Sequence, residues 1–334
     1  MWKFLTKTYW SNKKEYKKKI QNIKRIKFKV PQKDIAISIQ NLTKIFKLKN
    51  GSYKYALDNV SFEIKKGEFH GFIGDNGAGK TTTIRSILGF YPSHFGEIFI
   101  DGINARSIKS KEKIGYIPEI AVFPKKLNVE EYLLYLAKMT NLDSKKAVER
   151  VQELIKEYGF NAKDLQKSPA LMSSGQKKKV LLMQALLNDP DILIMDEPAA
   201  NLDPSARINF FETIKKLHMQ GKTILISSHI ILELEQYIDS YTVLKDGKVL
   251  DSGKISEKLK NQKFNKVLIL SNNSLIKDFL IQNKIKHQLV NDQWKLKLNT
   301  EQEQKLFFEI TRKNYKILEF KDNKLHLDEI YFKN

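Results

Sequence analysis

The sequence predicts an α/β domain built on a parallel core sheet, followed by a small α+β domain of ferredoxin-like βαββαβ order. The first domain is predicted because short apolar runs alternate with helical segments, as in a strand, loop and crossover helix repeated along the chain. The second is predicted because the order of elements changes after residue 254. We therefore expect a basic N-terminal extension at 1–33, the α/β domain at 34–254 and an accessory domain, regulatory in type, at 255–334.

Five segments of the α/β domain read as strands from their branched residues, alternation or continuous apolar character. They are Ile35–Gln40, Val60–Ile64, Phe69–Ile73, Ile192–Met195 and Thr223–Ser227.

Helices of this domain are predicted from their apolar faces and end signals. Lys80–Leu88 carries apolar residues on one face and is followed by Gly89. The pattern Asn128-x-x-Glu131 opens an apolar helix with the residue types of a capping box. Asp203 can cap a further helix that has Pro204 at its first position and Gly221 just past its end.

The C-terminal segment is predicted to alternate strands and helices, with a hairpin in the middle around Asn291-Asp292. In order, the predicted elements are strand Val267–Leu270, helix Ser274–Gln282, strands Gln288–Val290 and Trp294–Leu298, a helix started by Thr300-x-x-Glu303, and strand Ile317–Phe320.

The composition excludes some classes of protein. The chain has 334 residues, of which 41% are hydrophobic, so it can bury a substantial core. It has no cysteine, which excludes disulfides and thiolate metal sites. It has neither an apolar run long enough to span a bilayer nor an apolar signal core at its N-terminus. We expect a cytosolic protein whose membrane role, if it has one, needs a partner.

The formal net charge of +21 is concentrated at the N-terminus. Residues 1–33 contain 12 basic residues and 1 acidic residue, a net of +11. Such a charge favours an anionic partner, namely nucleic acid, acidic lipid headgroups or the ribosome. Tyr16, Ile20 and Ile23 stand at helical spacing, which allows a short amphipathic helix on an anionic membrane. The alternative, which the composition favours, is a disordered basic tail.

The strongest motif is a phosphate-binding loop of the form G-x-x-x-x-G-K-[ST], placed after a predicted strand and before a predicted helix. Its backbone N–H groups and the helix N-terminus suit phosphate oxygens. Lys80 is expected to reach the β- and γ-phosphates and the Thr81 hydroxyl to ligate Mg²⁺. The loop and the residue after it are Gly74, Asp75, Asn76, Gly77, Ala78, Gly79, Lys80, Thr81 and Thr82.

Two carboxylates follow the apolar strand Ile192–Met195. Ligands bind at the carboxyl edge of a parallel sheet, so this strand end is a candidate site. Asp196 is expected to contribute to the coordination shell of Mg²⁺, and Glu197 is expected to polarise the water that attacks the γ-phosphate. His229 ends another apolar strand and is interpreted as a γ-phosphate contact that orients this water.

Over about residues 35–254 the chain resembles the ABC ATPases. Met172-Ser173-Ser174-Gly175-Gln176 resembles the family's L-S-G-G-Q signature, Asn201-Leu202-Asp203 its D-loop and His229 its switch histidine. Phe46 resembles the aromatic residue that stacks on adenine, although Tyr53 or Tyr55 could do this and Phe46 could be an ordinary core residue.

The resemblance implies a P-loop NTPase fold with a helical signature region, and a head-to-tail dimer with two ATP molecules at its interface. Each site would join one subunit's phosphate loop to the other's signature, with Ser173, Ser174, Gly175, Gln176 and Asp203 contributing to nucleotide binding. ATP binding would close the dimer, and hydrolysis would reopen it.

The chain departs from the family pattern in four respects. Lys177-Lys178-Lys179 stands where the family signature is usually followed by an arginine-rich segment. Met172 stands in place of leucine, and Ser174 stands in place of the first glycine of the signature, where it could crowd the phosphate. Glu119 stands where the family has the glutamine of its Q-loop, and its carboxylate can still ligate magnesium.

The segment 119–124 and the ending Leu327-Asp328-Glu329-Ile330-Tyr331-Phe332 resemble an exporter branch in which ATPase and permease are separate chains. The implied partners are an integral membrane permease and a second ATPase subunit, identical or paralogous, on the inner face of the cell membrane. Residues 1–33 would supply an anionic lipid contact.

A soluble ABC ATPase acting on the ribosome or nucleic acid is the alternative, for which the basic charge is suggestive. The single ATPase cassette and the short spacing between its two catalytic motifs argue against this alternative. A nucleotide-gated regulatory protein with weak hydrolysis is a third reading.

Overall fold

The computed structural model describes residues 21, 28–49, 52–91, 94–140, 143–260, 264–272, 276–323 and 331. It divides into two compact units between Lys254 and Ile255. The predicted amphipathic helix near the N-terminus and, apart from Tyr331, the exporter-like ending at 327–332 lie outside the described residues.

The first unit contains two sheets among its described residues. Its strands are β1 (Ile35–Lys47), β2 (Tyr53–Lys65), β3 (Phe69–Ile73), β4 (Phe95–Ile100), β5 (Ile103–Asn104), β6 (Ile114–Ile117), β7 (Ile192–Met195), β8 (Thr223–Ser228), β9 (Ser240–Lys245) and β10 (Lys248–Lys254). An antiparallel sheet has the order β2-β1-β4-β5, and the second sheet has the order β10-β9-β3-β8-β7-β6. In the second sheet β9, β3, β8, β7 and β6 are parallel, which confirms the predicted parallel core.

The central strands of the parallel sheet are buried along their length. Every residue of β3 and β7 is buried, as expected for strands covered on both faces. Because these strands are parallel, their carboxyl ends lie at one edge of the sheet. The residues that follow β3, β7 and β8 are therefore brought to the same edge.

The helices of this unit connect the strands or form a separate helical region. They are α1 (Lys80–Ile87), α2 (Val129–Lys138), α3 (Ser144–Glu157), α4 (Ala162–Leu165), α5 (Ser174–Leu186), α6 (Pro204–Met219) and α7 (Ile231–Leu234). Two predicted caps are present: Asn128 and Glu131 form a reciprocal capping box, and Asp203 accepts a hydrogen bond from the Ala206 N–H at 2.9 Å. These caps satisfy N–H groups that lack intrahelical partners.

The apolar core of the first unit joins the antiparallel sheet to one face of the parallel sheet. Ile84 and Ile87 of α1 are fully buried within this cluster, together with Ile194 of β7 and Leu225 of β8. The helix that follows the phosphate loop is therefore fixed by packing, and the loop is held between two rigid elements.

The second unit has the predicted βαββαβ order. After α8 (Ile255–Lys260) it contains β11 (Lys266–Leu270), α9 (Lys277–Gln282), β12 (Lys286–Val290), β13 (Gln293–Lys297), α10 (Thr300–Arg312) and β14 (Ile317–Asp322). The sheet order is β12-β13-β11-β14 with antiparallel pairing. It has its own apolar cluster, which includes Leu268, Trp294 and Leu306.

The hairpin turn of the second unit lies where the sequence predicts it. Asn291 and Asp292 have φ angles of 47° and 60°, which is the left-handed backbone of a two-residue hairpin turn. Asparagine and aspartate tolerate this conformation better than other non-glycine residues, so the register of β12 against β13 is fixed locally.

The start of α10 corrects one prediction. The cap is formed by Asn299 and Gln302, one residue before the predicted pair Thr300 and Glu303. The Asn299 side chain accepts from the Gln302 N–H at 2.8 Å, and asparagine is the better N-cap residue. Glu303 instead pairs with the Lys266 ammonium at 3.2 Å.

Within the described residues, no helix has the length and apolar character needed to cross a membrane.

Candidate nucleotide-binding and hydrolysis site

The loop between β3 and α1 has a backbone that only glycine allows at key positions. A Cβ atom on Gly74 would lie 2.4 Å from the Leu244 carbonyl oxygen. Gly79 has a φ of 112°, and its Cβ would lie 2.9 Å from the Ala56 carbonyl oxygen. Glycine is therefore required both for the close approach of neighbouring backbone and for the left-handed conformation. The loop ends at the N-terminus of α1, whose N–H groups favour an anion.

The ammonium group of Lys80 lies at the centre of the site. Its side chain is 4% exposed, and its Nζ donates to the carbonyl oxygens of Gly74 at 2.6 Å and Asp75 at 3.1 Å. It also forms an ion pair with the Glu197 carboxylate at 3.1 Å. The loop backbone thus places one cation beside the catalytic candidate at the end of β7.

Asp196 is the first residue after β7 and is 2% exposed. Its Oδ1 accepts hydrogen bonds from Ser227 Oγ at 2.8 Å and from Thr81 Oγ1 at 3.2 Å. A carboxylate beside a hydroxyl is a donor set that suits Mg²⁺, which takes one or two carboxylates together with substrate phosphates and water. The described residues contain no group of three or more His, Cys, Asp or Glu side chains that could hold a metal by themselves.

Glu197 has a left-handed backbone with a φ of 42°. Non-glycine residues in this region cost about 1–3 kcal/mol and cluster at functional sites. The Glu197 N–H donates to Ser227 Oγ at 2.9 Å, and its Oε2 lies 2.7 Å from His229 Nδ1. Lys80 and His229 therefore contact different oxygens of the Glu197 carboxylate.

A cavity of about 840 Å³ opens beside this carboxylate. Ten of the predicted site residues line it: Phe46, Asn76, Gly77, Gly79, Lys80, Thr81, Thr82, Glu119, Glu197 and His229. Tyr55 also lines the cavity, while Tyr53 is not among its lining residues. The Phe46 ring is half-buried and meets the Tyr91 ring edge-on at 5.4 Å.

Other predicted residues lie outside the cavity lining. Gly74 and Asp75 lie behind it, where their carbonyl groups bind Lys80, and the Ala78 carbonyl accepts from the Gly247 N–H. Asp203 caps α6, as described above. Asp196 is buried, and a hydrogen bond from the cavity-lining residue Thr81 connects it to the cavity.

The signature residues 173–176 form the first turn of α5 and are not part of the cavity lining. The Ser173 hydroxyl accepts from the Gln176 N–H, and the Gln176 Oε1 accepts from the Ser173 N–H, both at 3.3 Å. Ser174 is exposed, while Met172 is buried behind this turn. The start of α5 is thus presented to the outside of the unit with its capping box formed.

The sequence interpretation missed the burial and the contacts of two side chains near the site. Ser227 is fully buried and bridges Asp196 and the Glu197 N–H; its only signal is its position two residues before His229 on a strand. Lys178 lies in a run of three lysines that gives no hint of burial. Burial lowers its pKa to about 8, and the nearby Glu119 and Asp196 carboxylates oppose this shift.

The comparisons with known proteins agree with this geometry. Residues 57–200 match the family model described as ABC transporter. A putative ABC transporter ATP-binding protein from Mycoplasma pneumoniae is 42% identical over 257 residues, which cover 76% of this chain and 78% of the relative. A Nod factor export ATP-binding protein I from Burkholderia orbicola is 33% identical over 202 residues, covering 60% and 66% of the two chains.

The fold also matches a solved structure. The dimeric post-hydrolysis state of the ATP-binding cassette MJ0796, bound to ADP and Pi, superimposes with a TM-score of 0.58 at 27% identity. The match covers 66% of this chain and 98% of the cassette. From these similarities and the site geometry together, the chain belongs to the family of ABC transporter ATP-binding proteins.

Proposed function

We propose that this ABC ATPase powers export through a separate membrane permease, with ATP bound and hydrolysed in the cavity around Lys80 and Glu197. The observation that carries the proposal is the joint placement of a glycine loop, a buried ammonium and two carboxylates at one sheet edge. Phosphoryl transfer to water needs positioning and electrostatic stabilisation of this kind.

The contacts of four residues around the cavity support a role in binding ATP and Mg²⁺. Lys80 binds the β- and γ-phosphates. To do so, the phosphates must displace the Glu197 carboxylate from the Lys80 ammonium. Thr81 and Asp196 are placed to hold Mg²⁺, which supplies charge neutralisation at the phosphates when bound. Glu119 lines the same cavity and can add an oxygen ligand.

Glu197 is the general base. Its carboxylate lies at the cavity wall, within hydrogen-bond distance of His229. A base of this kind must lie within reach of the water that it deprotonates. His229 orients the carboxylate through Oε2, whereas Lys80 contacts Oε1, and His229 can contact the γ-phosphate.

The second part of the proposal is a head-to-tail dimer, homomeric or with a paralogue, in which residues 173–176 complete the partner's site. The support is the outward placement of the α5 N-terminus, away from the cavity of its own chain. A helix of 13 residues offers N–H groups and a favourable dipole to a γ-phosphate. The structural relative MJ0796 is itself a dimer with bound ADP and Pi.

Export is proposed by analogy with the relative named for Nod factor export. The experiment is a mild-detergent pull-down of the protein from its native membranes, with the co-purifying chains identified. We expect a polytopic membrane protein at stoichiometric yield, because the chain belongs to a family of transporter ATP-binding proteins. Ribosomal proteins or nucleic acid instead, without membrane chains, would overturn the proposal in favour of the soluble ATPase.

The basic extension adds a proposed contact with anionic lipid on the inner membrane face. Its net charge of +11 is the support. A chain lacking residues 1–33 should bind phosphatidylglycerol vesicles more weakly, with turnover largely retained and zwitterionic vesicles as the control. Equal binding by the two chains would identify the extension as an inert tail.

A further inference from the structure

Lys178 is a buried lysine that connects the signature helix to the segment carrying Glu119. It follows the signature residue Gln176 by two positions in α5 and is 6% exposed. Its Nζ donates to the carbonyl oxygens of Pro118 at 3.1 Å and Glu119 at 2.7 Å. Hydrogen bonds from a charged donor are roughly twice as strong as neutral ones.

These two carbonyl groups lie where the support of the sheet ends. Strand β6 stops at Ile117, whose carbonyl oxygen accepts from the Asp196 N–H at 2.9 Å. The next two carbonyls along the chain are those that Lys178 binds. Beyond them the side chains of Ile120 and Val122 are 70% and 87% exposed. Lys178 thus fixes the backbone at the point where it leaves the sheet and Glu119 enters the cavity.

The other end of α5 lies directly against the same strand. A Cβ atom on Gly115 of β6 would lie 2.4 Å from the Ala185 carbonyl oxygen. Glycine is what allows this close approach of helix and strand. Since α5 contacts β6 near its C-terminal end and residues 118–119 near its N-terminal end, a tilt of α5 about Gly115 would displace the backbone at Glu119.

We propose that Lys178 is a positioning residue that transmits the position of the signature turn to Glu119 in the same chain. The inference rests on the proposed dimer, in which residues 173–176 contact the nucleotide of the partner. Nucleotide binding in one site would then bias the placement of Glu119, and hence of Mg²⁺, in the other. Lys178 would couple the two ATP sites of the dimer.

The choice of a lysine at this buried position supports a specific role. The charges of the Glu119 and Asp196 carboxylates favour its ammonium form, and placing a charge in the interior is costly unless it is paired and hydrogen-bonded. In Lys178→Met the side chain keeps a similar length, but two buried carbonyls lose their donor. In Lys178→Arg a charged donor remains, and Lys179→Met is the matched control because Lys179 is exposed.

The test compares these variants in four measurements on the full-length chain. They are ATP affinity in EDTA, the Mg²⁺ concentration for half-maximal ATPase activity, the Hill coefficient for ATP, and the melting temperature. For Lys178→Met we expect the Mg²⁺ requirement to rise by about fivefold or more and the Hill coefficient to fall towards 1. ATP affinity in EDTA should stay within about twofold, because the phosphate loop is untouched. Lys178→Arg should restore most of the loss, and Lys179→Met should behave as the unmodified chain.

Unchanged Mg²⁺ dependence and cooperativity in Lys178→Met would overturn the proposal, as would a lower melting temperature with intact kinetics. If Lys178→Met does not fold, Lys178→Gln, which can donate to one carbonyl, decides by the same measurements. The proposed function fails separately, when the unmodified chain neither hydrolyses ATP nor dimerises. A chain that hydrolyses ATP with Lys178→Met unaffected retains the proposed function and loses only this inference.

Discussion

Replacing Glu197 with glutamine should abolish steady-state ATP hydrolysis while leaving ATP binding intact. The amide has nearly the same shape and its oxygen can still accept from Lys80, which lies 3.1 Å from the carboxylate. It cannot take a proton from water, so the contribution of the general base is lost. We expect phosphate release to fall by about 10²–10⁴-fold, with the ATP dissociation constant changed by less than about threefold.

Two further variants make this result specific. Glu149→Gln changes an exposed carboxylate on α3 and should leave turnover unchanged. His229→Ala removes the partner of Glu197 Oε2 and should reduce turnover less than Glu197→Gln, since an orienting group is lost and the base is kept. Normal turnover in Glu197→Gln, or a larger loss in His229→Ala, would refute Glu197 as the base.

Replacing Lys80 with alanine should weaken ATP binding by about 10–100-fold, the equivalent of one charge-assisted contact to a phosphate. The change removes the ammonium that the Gly74 and Asp75 carbonyls hold beside the cavity. Titration with a fluorescent ATP analogue in EDTA measures this loss without hydrolysis.

Lys80→Met, which keeps the apolar stem in its buried position, separates loss of charge from loss of packing. Lys125→Ala, at an exposed position, is the matched surface control. An affinity for ATP that is the same in Lys80→Ala and Lys125→Ala would contradict the assignment of the phosphate loop.

Strands β3 and β7 could be predicted to the residue, whereas the antiparallel sheet could not. β7 is a continuous apolar run between Asp191 and Asp196, and β3 begins and ends with apolar residues between Glu68 and Gly74, so their bounds agree with the sequence. β1 extends to Lys47, past the predicted end at Gln40. Its pairing with β2 shifts register between Ile39 and Leu42, and Asn41 between them has a positive φ. Such an irregularity breaks the two-residue alternation on which strand prediction depends.

The site could be predicted as far as its parts are local in sequence. The loop 74–81 and the pair at 196–197 are contiguous, and their chemistry follows from residue type and order. The contact of Lys178 with Glu119 joins residues 59 positions apart, and that of Ser227 with Asp196 joins residues 31 apart. No periodicity links such pairs, because tertiary packing creates them. For the same reason, the sequence does not show which of three consecutive lysines is buried, although Lys178 is.

The central claim is that a second subunit completes each ATP site, and the most direct measurement is the solution mass of Glu197→Gln with and without ATP. Light scattering during gel filtration should give 38.9 kDa without nucleotide and twice that value with ATP and Mg²⁺. Adding Ser173→Arg, at the exposed start of α5, should return the mass to that of one chain. A single-chain mass with saturating ATP would contradict a site shared between two copies of this chain. So would a dimer that forms without ATP and persists in the Ser173→Arg variant.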